Sequence, residues 1–329
     1  MSWCLLGTVR EHAPAHSRFT QSCAGEHDDF LLGIFLATLR RKPATSFAPD
    51  ESATLMLAML LLWSRGALSC SEPCTHDLEA WRAHKLEQLK YAQTEASGAP
   101  REHMDRTRRT GLLGTVCPRL RHEGVHCSQL LRSVRGANAW LLEHLLNFTG
   151  RSAEIGVWKG DFSHFLLRHW PRGSTHFLVD AWEIDRACGN QTADSRRDKH
   201  CTMTQQEMNQ SYEGVVLKMN QQFPGRASIL RQSSLAAAAM IEPRSLDHIY
   251  IDARHDYEGV RQDLASWWEK LCPGGLFGGH DFTNGWPGVL RAVTEFLLAH
   301  KKETAAFSIT AEGRTSPSWL LFRTPSLCA

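Results

Sequence analysis

Two segments in the C-terminal half of the sequence place acids and histidines directly after apolar runs. Asp252 and His255 follow the first run, and His280 and Asp281 follow the second. Both runs are predicted to be buried strands, and ligands of open α/β sheets bind beyond the carboxyl ends of the strands. Carboxylate and imidazole groups there can hold a hard divalent cation or accept a proton. A structural acid at Asp281 and a plain loop histidine at His255 are the alternatives.

A glycine turn and a further acid precede these segments. Glu154 is followed by Gly156 and Gly160 in the spacing G-x-x-x-G, which differs from the G-x-G-x-x-G of dinucleotide sites. Glycines let a ligand approach the backbone closely, and the predicted helix after them offers free N–H groups. Asp180 closes the next predicted strand, where an acid can bind both hydroxyls of a ribose. A simple turn and a surface carboxylate are the alternatives.

The elements that must position these residues alternate from Ser152 onward. Short apolar runs alternate with longer amphipathic stretches, which predicts a parallel sheet with right-handed helical crossovers. The last two predicted strands have no helix between them, so one of them must run antiparallel. We therefore predict an α/β, Rossmann-like fold with a seven-stranded, mostly parallel sheet and a reversed last strand, preceded by an N-terminal helical extension.

These motifs, in this order, resemble the class I S-adenosylmethionine-dependent methyltransferases. The closest likeness is to the O-methyltransferase-like group with the motifs E-x-G-x-x-x-G, an Asp at the second strand, and I-D-x-x-H-x-Y…P-G-G…H-D, and it covers about residues 150–325. The resemblance implies S-adenosyl-L-methionine (SAM) as cofactor. It assigns these residues to the cofactor: Glu154, Gly156 and Gly160 to the methionine and ribose side, Asp180 to the ribose, Ser233 or Ser234 to the adenine, and Asp252 to the sulfonium and substrate.

The resemblance also implies a catalytic base and a candidate metal site. In cation-dependent relatives, acids matching Asp252 and the His280–Asp281 pair hold magnesium or a similar ion, and a base lies where His255 falls. The sequence departs from these relatives because Phe282 stands where some of them have a metal-binding amide. Trp158 and Lys159 also replace the small residues of the commonest glycine loop.

The resulting functional hypothesis is methyl transfer from SAM to a hydroxyl of a small-molecule substrate. Asp252 and His255 are the candidate catalytic residues. The net charge of +2 gives no reason to expect a nucleic-acid partner, and a homo-oligomer stays open. The alternative is a secreted, non-catalytic module that kept the fold. A nicotinamide oxidoreductase is disfavoured by the missing G-x-G-x-x-G and by the terminal strand pair.

The N-terminal half suggests a compartment. The uncharged apolar run 53–63 is shorter than the roughly 20 residues of a membrane span, so no stable span is predicted, but its length suits a signal-peptide core. A buried helix is the alternative. Three N-x-S/T sequons, at Asn147, Asn190 and Asn209, also favour the secretory pathway or the extracellular space over a plastid or the cytoplasm.

The cysteines and the overall division of the chain complete the predictions. The ten cysteines include three closely spaced pairs that could form local disulfides: Cys70 and Cys74, Cys117 and Cys127, Cys188 and Cys201. The predicted regions are a poorly structured extension (1–52), a signal-like segment (53–69), a helical region with helices at 75–95 and 133–148 (70–149), and the methyltransferase-like domain (150–329).

Overall fold

The computed structural model describes residues 75–95, 112–130, 138–139, 141–184, 198–310 and 317–325. The predictions for 1–74, for Asn190 and for Cys188 lie outside the described residues. The same holds for most of the first half of the helix predicted over 133–148.

The described part of the chain contains one eight-stranded sheet with the spatial order β1-β7-β8-β6-β5-β2-β3-β4. The strands are β1 (Cys127–Leu130), β2 (Arg151–Ile155), β3 (Thr175–Asp180), β4 (Ala227–Arg231), β5 (Leu246–Ile251), β6 (Leu271–Gly279), β7 (Thr304–Thr310) and β8 (Trp319–Arg323).

The pairing of the strands confirms the predicted fold. Strands β2 to β6 pair in parallel with one another. Strand β8 runs antiparallel to both of its neighbours, β6 and β7. The seven predicted strands are β2 to β8. Strand β1 is an addition that the sequence analysis missed, and it pairs in parallel with β7 at the edge of the sheet.

Helices cover both faces of the sheet. They are α1 (Leu78–Glu95), α2 (Leu112–His122), α3 (Asp161–His169), α4 (Gln205–Gln222), α5 (Ser234–Met240), α6 (Tyr257–Trp268) and α7 (Pro287–Ala299). Local sequence sets where several of them begin. The Thr204 hydroxyl and the Glu207 carboxylate form a reciprocal capping box at α4, Asp256 caps α6, and a proline occupies the first turn of α7.

Strand alternation divides the core between these faces. Ala153 and Ile155 of β2 face a core shared with α2, α5, α6 and α7. On the opposite face, Leu178 of β3 packs with Leu167 of α3 and with Met219 of α4. Because side chains alternate along a strand, Ser152 and Glu154 of β2 point to the α3 side. This places polar groups beneath α3, which the candidate site uses.

Strand β6 differs from its prediction. Proline followed by two glycines indicates a turn before the strand, but the Pro-Gly-Gly segment lies inside β6. The register shifts there, because Leu246 and His248 of β5 pair with Leu271 and Leu276 of β6. Proline has no N–H for a regular ladder, and Gly274 has a φ of 84°, so the segment forms an irregularity rather than a turn.

The region before β2 is only partly helical. The described residues contain α1 and α2, and a single π-helical turn at Leu141–Leu145 stands where the end of a longer helix was predicted. A disulfide joins Cys117 of α2 to Cys127 of β1, as their spacing allowed. None of the helices among the described residues combines the length and hydropathy needed to cross a bilayer.

The two described sequons differ in their surroundings. Asn147 is exposed just before β2, and its side-chain oxygen accepts a hydrogen bond from Arg172. Asn209 lies within α4, where its side-chain oxygen accepts hydrogen bonds from Gln205 and Arg231. Glycosylation at either position stays a prediction.

Two buried histidines make the folded state sensitive to acid. His176 of β3 and His248 of β5 are fully buried, and burial lowers the pKa of each to about 3. In the unfolded chain both titrate near 6.5, so below that pH the unfolded state binds more protons. Their contribution to stability is therefore fully present above pH ~6.5 and falls as the pH drops toward 3, by at most about 1.4 kcal/mol per pH unit for each histidine.

Chemical unfolding of the wild type and of His248→Gln at pH 7, 6 and 5 checks this expectation. The free energy of unfolding should fall less steeply with decreasing pH in the variant, because one protonating group of the unfolded chain is gone. The exposed Gly214 of α4 supplies the control, since Gly214→Ala removes no ionisable group and should keep the wild-type slope. Equal slopes for the wild type and His248→Gln would show that His248 is not held neutral.

Candidate active site

The glycine loop between β2 and α3 has a backbone that depends on its glycines. Gly156 and Gly160 have φ values of 88° and 71°, and Trp158 between them also has a positive φ of 50°. A Cβ atom on Gly156 would lie 2.0 Å from the backbone oxygen of Asp252. The Asp252 N–H donates to the Ile155 oxygen at 2.7 Å. The loop therefore packs directly against the end of β5.

Asp180 holds this loop from the neighbouring strand. One of its carboxylate oxygens accepts the N–H groups of Val157 and Trp158, each at 2.9 Å, and the other accepts the Trp182 N–H at 2.8 Å. A carboxylate offers about four acceptor positions, so this conformation leaves about one. The predicted contact with both ribose hydroxyls therefore requires a rearrangement, whereas a contact with one hydroxyl does not.

Glu154 lies beneath the loop and is buried, with 2% of its surface exposed. Burial raises the pKa of its carboxyl group well above the usual value, against the opposing effect of hydrogen bonds from the backbone and the hydroxyl of Ser163. Ser163 belongs to the first turn of α3. Glu154 thus connects the end of β2 to the start of α3, and its predicted contact with the cofactor stays a prediction.

The predicted adenine side is polar and partly occupied by protein contacts. Ser233 is exposed and caps α5 by accepting the Ala236 N–H. Ser234 donates to Asp263 and accepts the indole N–H of Trp267. Ser233 is therefore the better placed of the two serines.

Trp182 belongs to the core and not to a surface on which an adenine could stack. Only 1% of its surface is exposed, and its indole N–H donates to the Trp158 oxygen at 2.8 Å. Its ring lies 5.1 Å from that of Tyr212 of α4. A buried ring of this kind supports the loop and leaves no face for stacking on an adenine.

His255 lies between two carboxylates. Its Nδ1 is 2.8 Å from Asp198 Oδ2, its Nε2 is 2.8 Å from Asp281 Oδ2, and its ring stacks on Trp286 with centroids 4.2 Å apart. Burial alone would lower the pKa of His255, but the hydrogen bonds to Asp198 and Asp281 outweigh it and raise that pKa to about 10. The imidazole is therefore protonated at neutral pH in this conformation and cannot accept a proton.

The predicted His280–Asp281 pair lies next to this histidine. His280 Nδ1 is 3.0 Å from Asp281 Oδ2 and 3.8 Å from Asp252 Oδ1. Burial favours the neutral acid at Asp281, but hydrogen bonds from His255 and His280 outweigh it and hold the pKa of that carboxyl group well below the usual value. Asp281 also has a positive φ of 59°, a conformation that costs a non-glycine residue energy.

In this conformation two of the candidate metal ligands, His255 and Asp281, are hydrogen-bonded to each other. Asp252, His255 and Asp281 each offer one ligand atom, all within 4.8 Å of one another, whereas the predicted set contained His280 instead of His255. Both ring nitrogens of His255 are bonded to carboxylates in this conformation, so the imidazole would have to release a proton and one of these contacts before it could bind a cation. Phe282, at the position of the metal-binding amide, is fully buried and packs edge-on against Phe307. We therefore derive no step through a metal ion.

A separate groove of about 390 Å³ lies between α6 and α7. It contains none of the predicted site residues, and its walls include Leu264, Trp268, Phe296 and His300. The carboxyl ends of the strands, where the acids converge, are not part of it.

Residues 153–282 match the methyltransferase-domain family. The matched segment runs from β2 to the residue after Asp281 and contains every predicted site residue. No curated protein matches the chain.

Solved structures that are similar to parts of this chain include three proteins with different names. The O-methyltransferase TomG of Streptomyces achromogenes, solved in complex with SAM, is 15% identical with a TM-score of 0.41, and the match covers 66% of this chain and 91% of TomG. An rRNA methylase of Streptococcus thermophilus is 9% identical (TM-score 0.40; 59% and 97% covered). The spermidine synthase of Thermotoga maritima is 11% identical (TM-score 0.38; 57% and 58% covered). At these TM-scores the similarities support no conclusion about activity.

Four residues of the site were missed in the sequence: Ser163, His176, Asp198 and Trp286. Asp198 lies in a polar stretch of the sequence without a motif, and its contact with His255 spans 57 residues. Ser163 and His176 occupy ordinary helix and strand positions. Trp286 directly precedes Pro287, the first residue of α7. This pair indicates a turn in the sequence, but it does not indicate that the Trp286 ring stacks on His255.

Proposed function

We propose that this protein is a SAM-dependent methyltransferase that methylates a hydroxyl group of a small molecule. One observation carries the proposal: the glycine loop, Asp180 and Asp252 meet at the carboxyl end of the sheet, with Gly156 packed against the backbone of Asp252. Open α/β sheets bind their ligands at this edge. The match of residues 153–282 to the methyltransferase-domain family supports the same activity.

The chain supplies a binding group for each part of the cofactor. The loop from Gly156 to Gly160 would hold the methionine part, Asp180 one ribose hydroxyl, Ser233 the adenine, and Asp252 the side facing the sulfonium. SAM supplies an activated methyl group, which leaves its sulfur for a nucleophilic oxygen in line. What the protein contributes is the alignment of the acceptor and the exclusion of water.

Asp198, Asp281, His255 and Trp286 would form the wall that faces the acceptor. His255 can act as a base only after it has lost a proton, and its hydrogen bond to Asp198 opposes that loss. An acceptor hydroxyl that displaced Asp198 would remove one of the two carboxylates that stabilise the imidazolium. We therefore assign proton removal to His255 in a state in which the Asp198 contact is open.

Replacing His255 by alanine tests this assignment. Turnover should fall by about 10²-fold or more, the usual contribution of a positioned base, while the SAM affinity stays close to that of the wild type. Steady-state kinetics at saturating SAM and calorimetric titration with SAM measure the two quantities. His122→Ala, on an exposed position of α2, is the control. An unaltered rate in His255→Ala would remove this residue from the mechanism.

The proposed function itself is tested with the purified wild-type protein. Calorimetry should show one SAM site per chain, and incubation with a panel of phenols and alcohols should release S-adenosylhomocysteine with at least one of them. Binding of SAM without transfer to any acceptor would favour a non-catalytic module that retains the fold. Absence of SAM binding would refute the proposal.

A further inference from the structure

Four buried side chains form a continuous hydrogen-bonded chain beneath the glycine loop. Ser152 Oγ lies 2.6 Å from His176 Nδ1, and His176 Nε2 lies 2.8 Å from Ser163 Oγ. The Ser163 hydroxyl in turn donates to Glu154 Oε2. Glu154 is 2% exposed and the other three side chains are fully buried. No step of the proposed methyl transfer uses this chain.

With Glu154 ionised, counting protons fixes the direction of every hydrogen bond in the chain. The Ser163 hydroxyl has one proton, which it donates to Glu154, so it can only accept from His176 Nε2. His176 is neutral because burial lowers its pKa to about 3, and its single ring proton must therefore lie on Nε2. Its Nδ1 then accepts from Ser152. All the donors then point from Ser152 towards Glu154, whereas a neutral Glu154 carboxyl group, which burial favours, allows the reverse direction.

The position of the chain relates it to the cofactor loop. Glu154 is the second-last residue of β2 and Ser163 lies in the first turn of α3, so their contact joins the two ends of the loop from Gly156 to Gly160. His176 pairs with Ser152 across β2 and β3, which anchors the far end of the chain in the sheet. His176 and Asp180 also lie on one face of β3, four residues apart.

We propose that Ser163 and His176 are positioning residues that fix the SAM-binding loop through Glu154. The Asp180 carboxylate accepts hydrogen bonds from N–H groups in the middle of the loop. The contact between Glu154 and Ser163 joins the two ends of the loop. This inference rests on the proposed function, because the loop it positions is the predicted SAM site. Without the Ser163 hydroxyl, the Glu154 carboxyl group and His176 Nε2 each lose a hydrogen-bond partner in a buried position.

Ser163→Ala, Glu154→Gln and the double variant test the proposal. In Ser163→Ala the calorimetric Kd for SAM should rise about tenfold, while kcat at saturating SAM stays within about twofold of the wild type. Because Ser163 acts through Glu154, the double variant should bind SAM about as weakly as the weaker single variant rather than showing the product of both effects. Ser211→Ala is the matched control. It also removes a serine hydroxyl from a helix, but this hydroxyl donates to the Glu207 backbone oxygen one turn earlier.

The outcomes distinguish a failure of the proposed function from a failure of the inference about Ser163 and His176. If the wild type binds no SAM, the proposed function fails, and the inference fails with it. If the wild type binds SAM and Ser163→Ala binds it equally well, only the inference is overturned. Multiplicative effects in the double variant, or a fall in kcat without a change in Kd, would overturn it as well. Glu154→Gln keeps the size of the side chain, so it provides the Kd comparison even if Ser163→Ala fails to fold.

Discussion

Gly156→Ala is expected to lower the stability of the protein by about 3 kcal/mol or more and to abolish SAM binding. The new Cβ would lie 2.0 Å from the backbone oxygen of Asp252, and no side-chain motion can relieve a clash with a backbone atom. The φ of 88° adds strain for any residue other than glycine. Thermal unfolding measures the loss, which corresponds to a decrease in Tm of about 6–12 °C for a domain of this size.

Gly214→Ala is the matched control for this substitution. Gly214 lies within α4, is exposed, and has no atom within 4 Å of the position of an added Cβ. Alanine there should stabilise the helix by about 0.5–1 kcal/mol and leave SAM binding unchanged. If Gly156→Ala unfolded at the same temperature as the wild type, the close packing of the loop on β5 would be wrong.

Asp180→Ala is expected to reduce SAM affinity below the range that calorimetry detects, a loss of at least about a hundredfold. The substitution removes the acceptor for three backbone N–H groups, of which two belong to the glycine loop. Hydrogen bonds to a charged group contribute about 1.5–3 kcal/mol each, so the loop should lose its fixed conformation together with its ribose contact.

Two further variants sharpen this test. Asp180→Asn keeps one oxygen acceptor and should fall between the alanine variant and the wild type. Glu183→Ala, on an exposed residue three positions later, should bind SAM normally. Unchanged affinity in Asp180→Ala would refute the assignment of the cofactor pocket.

The sequence predicted the sheet well where hydrophobicity alone decides the structure. Strands β2 to β8 are apolar runs, and the missing helix between the last two strands implies the reversal of β8. Strand β1 was missed because its four residues, CSQL, have no strand periodicity, and only pairing with β7 defines it. The Pro-Gly-Gly segment reads as a turn locally, but tertiary pairing with β5 makes it part of β6.

The positions of the site residues were predictable, whereas their electrostatics were not. The order of the motifs alone predicts that Gly156, Asp180 and Asp252 lie at one edge of the sheet. The unperturbed pKa of histidine favours His255 as a base, but it takes no account of carboxylates 26 and 57 residues away in the sequence. Such partners are set by loops and register, so a single sequence does not reveal them.

The edge strand has a practical consequence for work with shortened forms of the protein. A version beginning at residue 150 would follow the boundary that the sequence suggests, yet it would cut through the sheet, because β1 and its disulfide to α2 lie before that point. Strand β7 would then present a bare row of backbone donors and acceptors, with Phe307 and Ile309 on an uncovered rim. Exposed edges of this kind recruit other chains, so the shortened protein would be prone to aggregate.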